Sequence, residues 1–211
     1  MRNKLITIDG PAGSGKARIS KYLSKKLKFY HLDSGILYRR LAFLLLHNKI
    51  NLYKEIEVKK FICKIKNLSP RNDNQLRKEI ISKTSSIIAK YKNVRNFINK
   101  CQKSIIKKKL IYRGCIIDGR DIGSVVFKNA DIKLYIEANQ KIRAERRYKQ
   151  LIDIGEKSIY AKILKDIQLR DRKDKTRKNS PLKMPIGAYI IDNSYSFNLT
   201  ITQLKKIFKT L

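Results

Sequence analysis

Apolar residues recur along this chain in two periods, and the periods alternate. Leu5, Ile6, Thr7 and Ile8 form a short apolar run with β-branched content, as a buried strand does. Ile19, Leu23 and Leu27 then return every fourth residue, which predicts a helix over 18–28. Phe29 to Leu32 reads as a second short strand. A helix follows from about Ile36 to Asn48, with Ile36, Leu37, Leu41, Leu44 and Leu45 apolar; the run LAFLLL at 41–46 is its buried face. From Ile50 to Lys109 no strand pattern stands out. That stretch predicts helices near 52–66, 75–91 and 94–108, with Ser69-Pro70-Arg71-Asn72-Asp73 as a loop, and reads as a helical lobe capping a substrate. Strand patterns resume at 114–118 and 132–136, helices are expected over about 140–152 and 158–172, and a last strand at 188–192 precedes an amphipathic helix over 199–211. Strands separated by helices predict an α/β fold, a five-stranded parallel sheet covered on both faces.

The turn between the first strand and the first helix carries the most specific chemistry. It reads Gly10-Pro11-Ala12-Gly13-Ser14-Gly15-Lys16, with Gly10 and Gly15 separated by four residues and the lysine next. Strand, glycine turn, lysine, helix is the layout of a phosphate-binding P-loop. Glycines let backbone N–H groups converge on an anion, the helix N-terminus adds partial positive charge, and Lys16 adds a full one. The pattern calls for Ser or Thr after the lysine, to bring a hydroxyl to Mg²⁺. Here Ala17 and Arg18 follow, and neither supplies it. Arg18 is a candidate to hold phosphate oxygens instead.

In a parallel sheet, ligands gather at the carboxyl ends of the strands. Those ends carry Asp9-Gly10, Asp33-Ser34-Gly35, Asp118-Gly119-Arg120-Asp121 and Asp192. Asp192 reads as a turn residue; the Asp118–Asp121 group reads as functional. A second cluster, residues 169–177 (LRDRKDKTR), spaces Arg170 and Arg177 seven apart, two helical turns. Asp174 stands at i+4 from Arg170 and is expected to orient its guanidinium. Two forks on one face suit a doubly charged phosphoryl group.

Composition changes this picture little. The 211 residues hold 50 Lys and Arg against 17 Asp and Glu, a formal net charge of +33, so a nucleic-acid partner has to be weighed. Lysines outnumber arginines 35 to 15 and spread along the whole chain without an interleaved aromatic series. Phosphate clamps favour the planar arginine fork, so the surplus lysine reads as a surface coat and no specific nucleic acid is expected. Cys63, Cys101 and Cys115 are odd in number, widely spaced and free of any CxxC. That argues against a disulfide framework or a zinc site and suits the cytoplasm. No apolar run approaches the roughly 18 residues that span a bilayer. The chain enters its first strand within a few residues of Met1, which leaves no room for a signal peptide.

Four segments together resemble a known family. Residues 6–18 (ITIDGPAGSGKAR), 32–39 (LDSGILYR), 117–127 (IDGRDIGSVVF) and 169–182 (LRDRKDKTRKNSPL) are similar to the signature segments of bacterial cytidylate kinases. Weaker matches are Ser86 and Arg95 in SSIIAKYKNVR and the Arg146-Arg147-Tyr148 run. The resemblance implies a three-layer P-loop NTPase fold of the nucleoside monophosphate kinase type. A core (about 1–35, 110–152 and 178–211) carries ATP, a lobe (about 36–109) carries CMP or dCMP, and a lid (about 153–177) closes over both. The implied reaction moves the γ-phosphoryl of ATP, with Mg²⁺, to the monophosphate, on a monomeric enzyme. Residues Gly10 to Arg18 would hold ATP, with Arg147 stacked on adenine. Ser34 and Arg39 belong to the CMP side, with Arg39 on the α-phosphate. Ser86, Asp118, Arg120 and Asp121 would read cytosine and sugar, with Asp174 also on the substrate side. Lys16, Arg95, Arg170 and Arg177 would hold the phosphoryl groups; no side chain is assigned to metal. The lobe around 50–85 is short for the longer members and lacks their strand-like alternation. The alternative is a catalytically weakened P-loop protein that binds nucleotide or nucleic acid.

Overall fold

The strands do not lie side by side in the order in which the chain makes them. The computed structural model describes residues 3–71, 73–110, 114–153 and 155–208. Its strands are β1 (Leu5–Asp9), β2 (Tyr30–Asp33), β3 (Cys115–Asp118), β4 (Ile132–Glu137) and β5 (Tyr189–Asp192), all parallel, in the order β2-β3-β1-β4-β5. β1 is buried along its whole length, as its unbroken apolar run requires, and pairs with β3 on one side and β4 on the other. The chain returns to opposite sides of β1, which opens a crevice at that strand's carboxyl end.

The helices are α1 (Lys16–Leu27), α2 (Ser34–His47), α3 (Glu55–Cys63), α4 (Glu79–Ile88), α5 (Lys92–Leu110), α6 (Gln140–Asp153), α7 (Tyr160–Thr176) and α8 (Phe197–Ile207). Alternation along the strands divides the core. Ile6, Ile8, Ile116, Leu134 and Ile191 pack against Ile19 and Leu23 of α1 and Leu204 of α8. Leu5, Leu32, Cys115 and Ile117 face Ile106 of α5 on the opposite side. Helices α2 to α5 build a separate apolar cluster from Leu37, Leu41, Leu45, Val58, Ile81, Ile88 and Ile98. Ala144 and Leu151 of α6 join Ile163 and Ile167 of α7 in a fourth. No helix among the described residues is long and apolar enough to cross a membrane.

Three local features depart from the periodicity. The helix expected over 75–91 is broken: Asn74–Arg77 form a 3₁₀ turn, Lys78 is extended, and α4 begins after it. Asp73 drives the short turn, because its side chain accepts the Gln75 N–H at 3.0 Å. Helix α7 runs to Thr176, beyond the expected 172, and Arg177 then turns off as an extended cap at ψ 138°. After β3, Ile122–Val126 form a single π turn, closed by the Phe127 N–H on the Ile122 carbonyl at 2.7 Å. Asn72 of the expected loop and residues 209–211 of the expected last helix lie outside the described residues.

Candidate active site

The phosphate loop is shaped by two glycines that no other residue replaces. Gly10 has φ +148°, and a Cβ there would run into the Ile136 carbonyl of β4. Gly15 has φ +88°, and a Cβ there would run into the side-chain amide of Asn193. That amide donates to the Ser14 carbonyl at 2.8 Å, and Thr200 donates to the Asn193 oxygen at 2.8 Å, so the turn after β5 braces the loop. Lys16 is nearly buried. Its ammonium donates to the Gly10 carbonyl (2.8 Å), the Pro11 carbonyl (2.6 Å) and Ser14 Oγ (3.3 Å). Burial and the Arg120 charge pull its pKa well below the ordinary lysine value. Its direct bonds go to neutral oxygens, with Asp118 and Asp9 as the nearby carboxylates, so an arriving phosphate can become its charged partner. Arg18 lies flat on the Phe197 ring, 4.0 Å from its centroid, and Tyr22 meets the same ring edge-on.

Arginines and carboxylates from four elements interlock beside the loop. Asp9, at the end of β1, accepts the Ile122 and Gly123 N–H groups at 2.8 and 2.7 Å and clamps the π turn to the sheet. Burial pushes its carboxyl up to about 6, against the pull of those two hydrogen bonds and with help from Asp121. Asp121 accepts from Arg95 at 2.8 Å, and Arg95 also donates to the Ala89 carbonyl at 2.7 Å; both side chains are buried. Arg120 donates to Asp174 (3.1 Å) and to the Gly10 carbonyl (2.9 Å). Arg177 donates to the other Asp174 oxygen at 3.1 Å and to the Ser180 carbonyl at 2.6 Å. Burial opposes ionisation of Asp174, but Arg120, Arg177 and Arg170 outweigh it and hold that carboxyl below its usual range.

Asp174 therefore bonds Arg120 and Arg177. Arg170, which Asp174 is expected to orient from i+4, takes no hydrogen bond from this pairing, and the carboxylate acts on it through charge. Arg170 Nε and Arg177 Nη2 are buried with no hydrogen-bond partner. Burial and Arg120 lower the Arg170 pKa to about 10, which leaves it charged at neutral pH. Guanidinium nitrogens left without a hydrogen bond beside a phosphate loop suit an arriving anion.

Acidic groups gather at one side. Asp118 accepts from Ser20 Oγ at 2.9 Å and lies 3.3 Å from His31 Nε2. Asp33 is its register partner on β2, caps α2 by accepting the Gly35 N–H at 2.9 Å, and stands 3.8 Å from Arg39. Burial and the neighbouring Asp118 raise the Asp33 pKa, with Arg39 easing it. Among the described residues no three His, Cys, Asp or Glu side chains form a metal cluster. A magnesium ion carried by substrate phosphates asks for only one or two carboxylates and keeps its waters, and the adjacent Asp33 and Asp118 fit that demand.

One cleft of about 670 Å³ gathers these groups. Of the expected residues, Gly13, Gly15, Lys16, Ala17, Arg18, Ser34, Arg39, Ser86, Arg95, Asp118, Arg120, Asp121, Arg147, Arg170, Asp174 and Arg177 line it. Gly10, Pro11, Ala12 and Ser14 belong to the loop but stand behind that surface. The Arg147 guanidinium crosses to Glu79, the first residue of α4, at 2.7 Å. Sequence reasoning did not single out Tyr38, Ser85, Arg143, Tyr195 or Phe197, which also line the cleft. Arg146, quoted there only as part of the Arg146-Arg147 run, lines it too and donates to the Tyr195 carbonyl at 3.4 Å. The adjacent Arg-Arg pair was the available signal for it; an isolated aromatic after β5 gives none.

The crystal structure of TT1252 from Thermus thermophilus superposes with a TM-score of 0.52 at 16% identity, covering 100% of this chain and 99% of that one, which shows the shared fold. A cytidylate kinase from Rickettsia felis is 42% identical over 193 residues, 92% of this chain and 85% of its own. The Bartonella bacilliformis cytidylate kinase is 40% identical over 190 residues, 90% of this chain and 86% of its own. The Fusobacterium nucleatum cytidylate kinase is 37% identical over 211 residues, 95% of this chain and 93% of its own. The family model described as cytidylate kinase matches residues 6–209. On a parallel-sheet P-loop core with an arginine-lined cleft, this chain belongs to the cytidylate kinase family.

Proposed function

We propose that this protein transfers the γ-phosphoryl group of ATP to CMP or dCMP, giving CDP or dCDP and ADP. The observation that carries the proposal is one cleft that gathers Lys16, Arg170 and Arg177, with Arg170 Nε and Arg177 Nη2 buried and without a hydrogen-bond partner. The acceptor is a phosphate oxygen that is already anionic, so the reaction needs no strong base; positioning and charge neutralisation carry it. The loop from Gly10 to Arg18 takes the triphosphate, with Lys16 exchanging its carbonyl partners for phosphate oxygens. Arg95, Arg170 and Arg177 hold the phosphoryl groups from the other side. Asp33 would hold Mg²⁺ together with the ion's own waters, and the ion would supply charge neutralisation at the phosphates.

Arg39 takes the CMP phosphate, and Ser34, Ser86, Asp118, Arg120, Asp121 and Asp174 take the nucleoside. Cytosine presents an exocyclic amine where uracil presents an acceptor. The Asp121 carboxylate, hydrogen-bonded by Arg95, accepts from an amine and repels a carbonyl. A buried mismatch costs about 1–3 kcal/mol, roughly ten- to a hundred-fold against UMP. Arg147 is assigned to the adenine; its present bond to Glu79 has to open for that. We assign 36–109 as the monophosphate lobe and 153–177 as the lid, whose closure keeps water from the γ-phosphoryl. We assign a monomer, and few, scattered cysteines suit work in the reducing cytoplasm.

A coupled ADP-release assay with ATP and Mg²⁺ tests the proposal on CMP, dCMP, UMP and AMP. CMP- or dCMP-dependent turnover well above that with UMP and AMP is expected. Nucleotide binding without turnover on any acceptor would refute it and leave a P-loop binder.

A further inference from the structure

Two arginines connect carbonyls of the phosphate loop to carboxylates of α7. Arg120 joins the Gly10 carbonyl to Asp174. Arg143, on α6, does the same for the next part of the loop. Its Nη1 donates to the Ala12 carbonyl at 2.9 Å and to Asp171 Oδ1 at 2.9 Å, its Nη2 donates to Asp171 Oδ2, and its Nε donates to the Ala138 carbonyl at 3.0 Å. Gln140 adds a bond to Asp171 at 3.3 Å. Arg143 and Asp171 are 2% and 5% exposed, so this is a desolvated fork-to-carboxylate pair. Neither residue has a place in the chemistry derived above.

Cohesion of α6 and α7 does not explain the pair. Ala144, Leu151, Ile163 and Ile167 already bury an apolar seam between these helices. A buried ion pair is weak support for stability, since apolar groups of similar volume often serve as well. An apolar seam, however, tolerates rotation of one helix on the other, and it does not reach the loop. The arginine fork fixes both. Asp171 follows Arg170 directly and precedes Asp174 by three residues, so holding Asp171 sets the rotation of α7 and the direction of Arg170.

We propose that Arg143 and Asp171 are a positioning pair that couples the phosphate loop to α7, so that loading the loop with donor phosphates sets Arg170 against the phosphoryl group in transfer. The proposal rests on the kinase reading for its effect on turnover, but the mechanical link is separable from it. Displacement of the Ala12 carbonyl moves the Arg143 fork, and Asp171 carries that movement into α7.

The test compares wild type with Arg143→Lys and with the apolar double variant Arg143→Met/Asp171→Leu. Melting, ATP affinity without acceptor, steady-state kinetics with CMP, and amide exchange over 160–176 with and without ATP are measured. In wild type, ATP is expected to slow exchange in α7. The double variant is expected to melt like wild type, to bind ATP within about threefold, and to lose about tenfold or more in kcat with KM for CMP nearly unchanged. Its α7 exchange should no longer respond to ATP. Arg143→Lys keeps a charge opposite Asp171 but cannot span both carboxylate oxygens and Ala12, so the same split is expected; it decides the matter if the double variant does not fold. A folded variant with wild-type kcat, or α7 exchange that still responds to ATP, would overturn the proposal. So would wild-type α7 that ignores ATP. Wild type that slows α7 exchange but fails to turn over CMP would refute the kinase reading and leave the coupling standing.

Discussion

Asp121 is the residue where recognition and stability meet. Its carboxylate is buried against Arg95, which also holds the end of α4 through the Ala89 carbonyl. Asp121→Asn keeps the shape but puts an amide where cytosine's amine would donate. We expect kcat/KM for CMP to fall about ten- to a hundred-fold, with ATP affinity within about twofold, read by steady-state kinetics and calorimetry. Equal loss of both would place Asp121 on the donor side. Asp9 yields a prediction in pH. Its folded pKa of about 6 lies above the free-carboxyl value of 3.8, so the folded state binds the proton more tightly. This group therefore favours folding fully below about pH 4, and that contribution, of order 3 kcal/mol, is lost as pH rises through 6. Wild type should lose stability relative to Asp9→Asn between about pH 4 and 6 in denaturant melts, the interval between the two pKa values. A constant difference would mean that the two N–H bonds keep Asp9 ionised throughout. Asp121 was legible in the sequence because a strand end and a charged dipeptide coincide there. Arg143 and Asp171 were not. Asp171 lies inside the 169–177 arginine cluster without a role of its own and Arg143 inside an expected helix, and only tertiary packing makes a buried pair of two residues 28 apart.

At the level of elements, strand and helix periods carried the core because a five-stranded parallel sheet buries both faces and leaves a strong apolar signal. They failed where a single side chain decides the backbone, as where Asp73 caps the 3₁₀ turn ahead of α4, and where the Asp9 carboxylate holds the π turn. Both bonds are local or tertiary polar contacts, to which hydrophobic periodicity is blind. The phosphate loop is the opposite case, since its glycine spacing is the geometry. Gly15→Ala adds a Cβ at φ +88° directed at the Asn193 amide, which braces the loop through Ser14. Backbone strain of about 1 kcal/mol adds to that collision, so ATP affinity should fall by about tenfold or more, while CMP alone binds as before. Isothermal titration of each nucleotide distinguishes this from general unfolding, which would remove both.

The whole molecule separates its two kinds of cation. Among the described residues, nine of the thirteen arginines line the cleft, but only Lys16 and Lys149 of the thirty-four lysines do. The planar fork is placed where phosphates are gripped, and the compact ammonium is left to the remaining surface. The lysine surplus therefore lies outside the cleft. It is also a liability for folding: a net +33 on 211 residues repels itself in the compact state. Screening relieves that repulsion over a Debye length that shrinks from about 30 Å at 0.01 M salt to about 3 Å at 1 M. Raising NaCl from roughly 10 to 500 mM should therefore raise the melting temperature by several degrees, an effect of about 1–3 kcal/mol. Over the same range KM for ATP and CMP should rise, because the cleft's field attracts nucleotide and salt weakens it. The two trends have opposite consequences for activity, so thermal stability and apparent affinity should diverge with salt. A melting temperature that falls with salt would mean that attractive ion pairs such as Arg147–Glu79 outweigh the lysine coat, and the charge would then have to be counted as part of the fold.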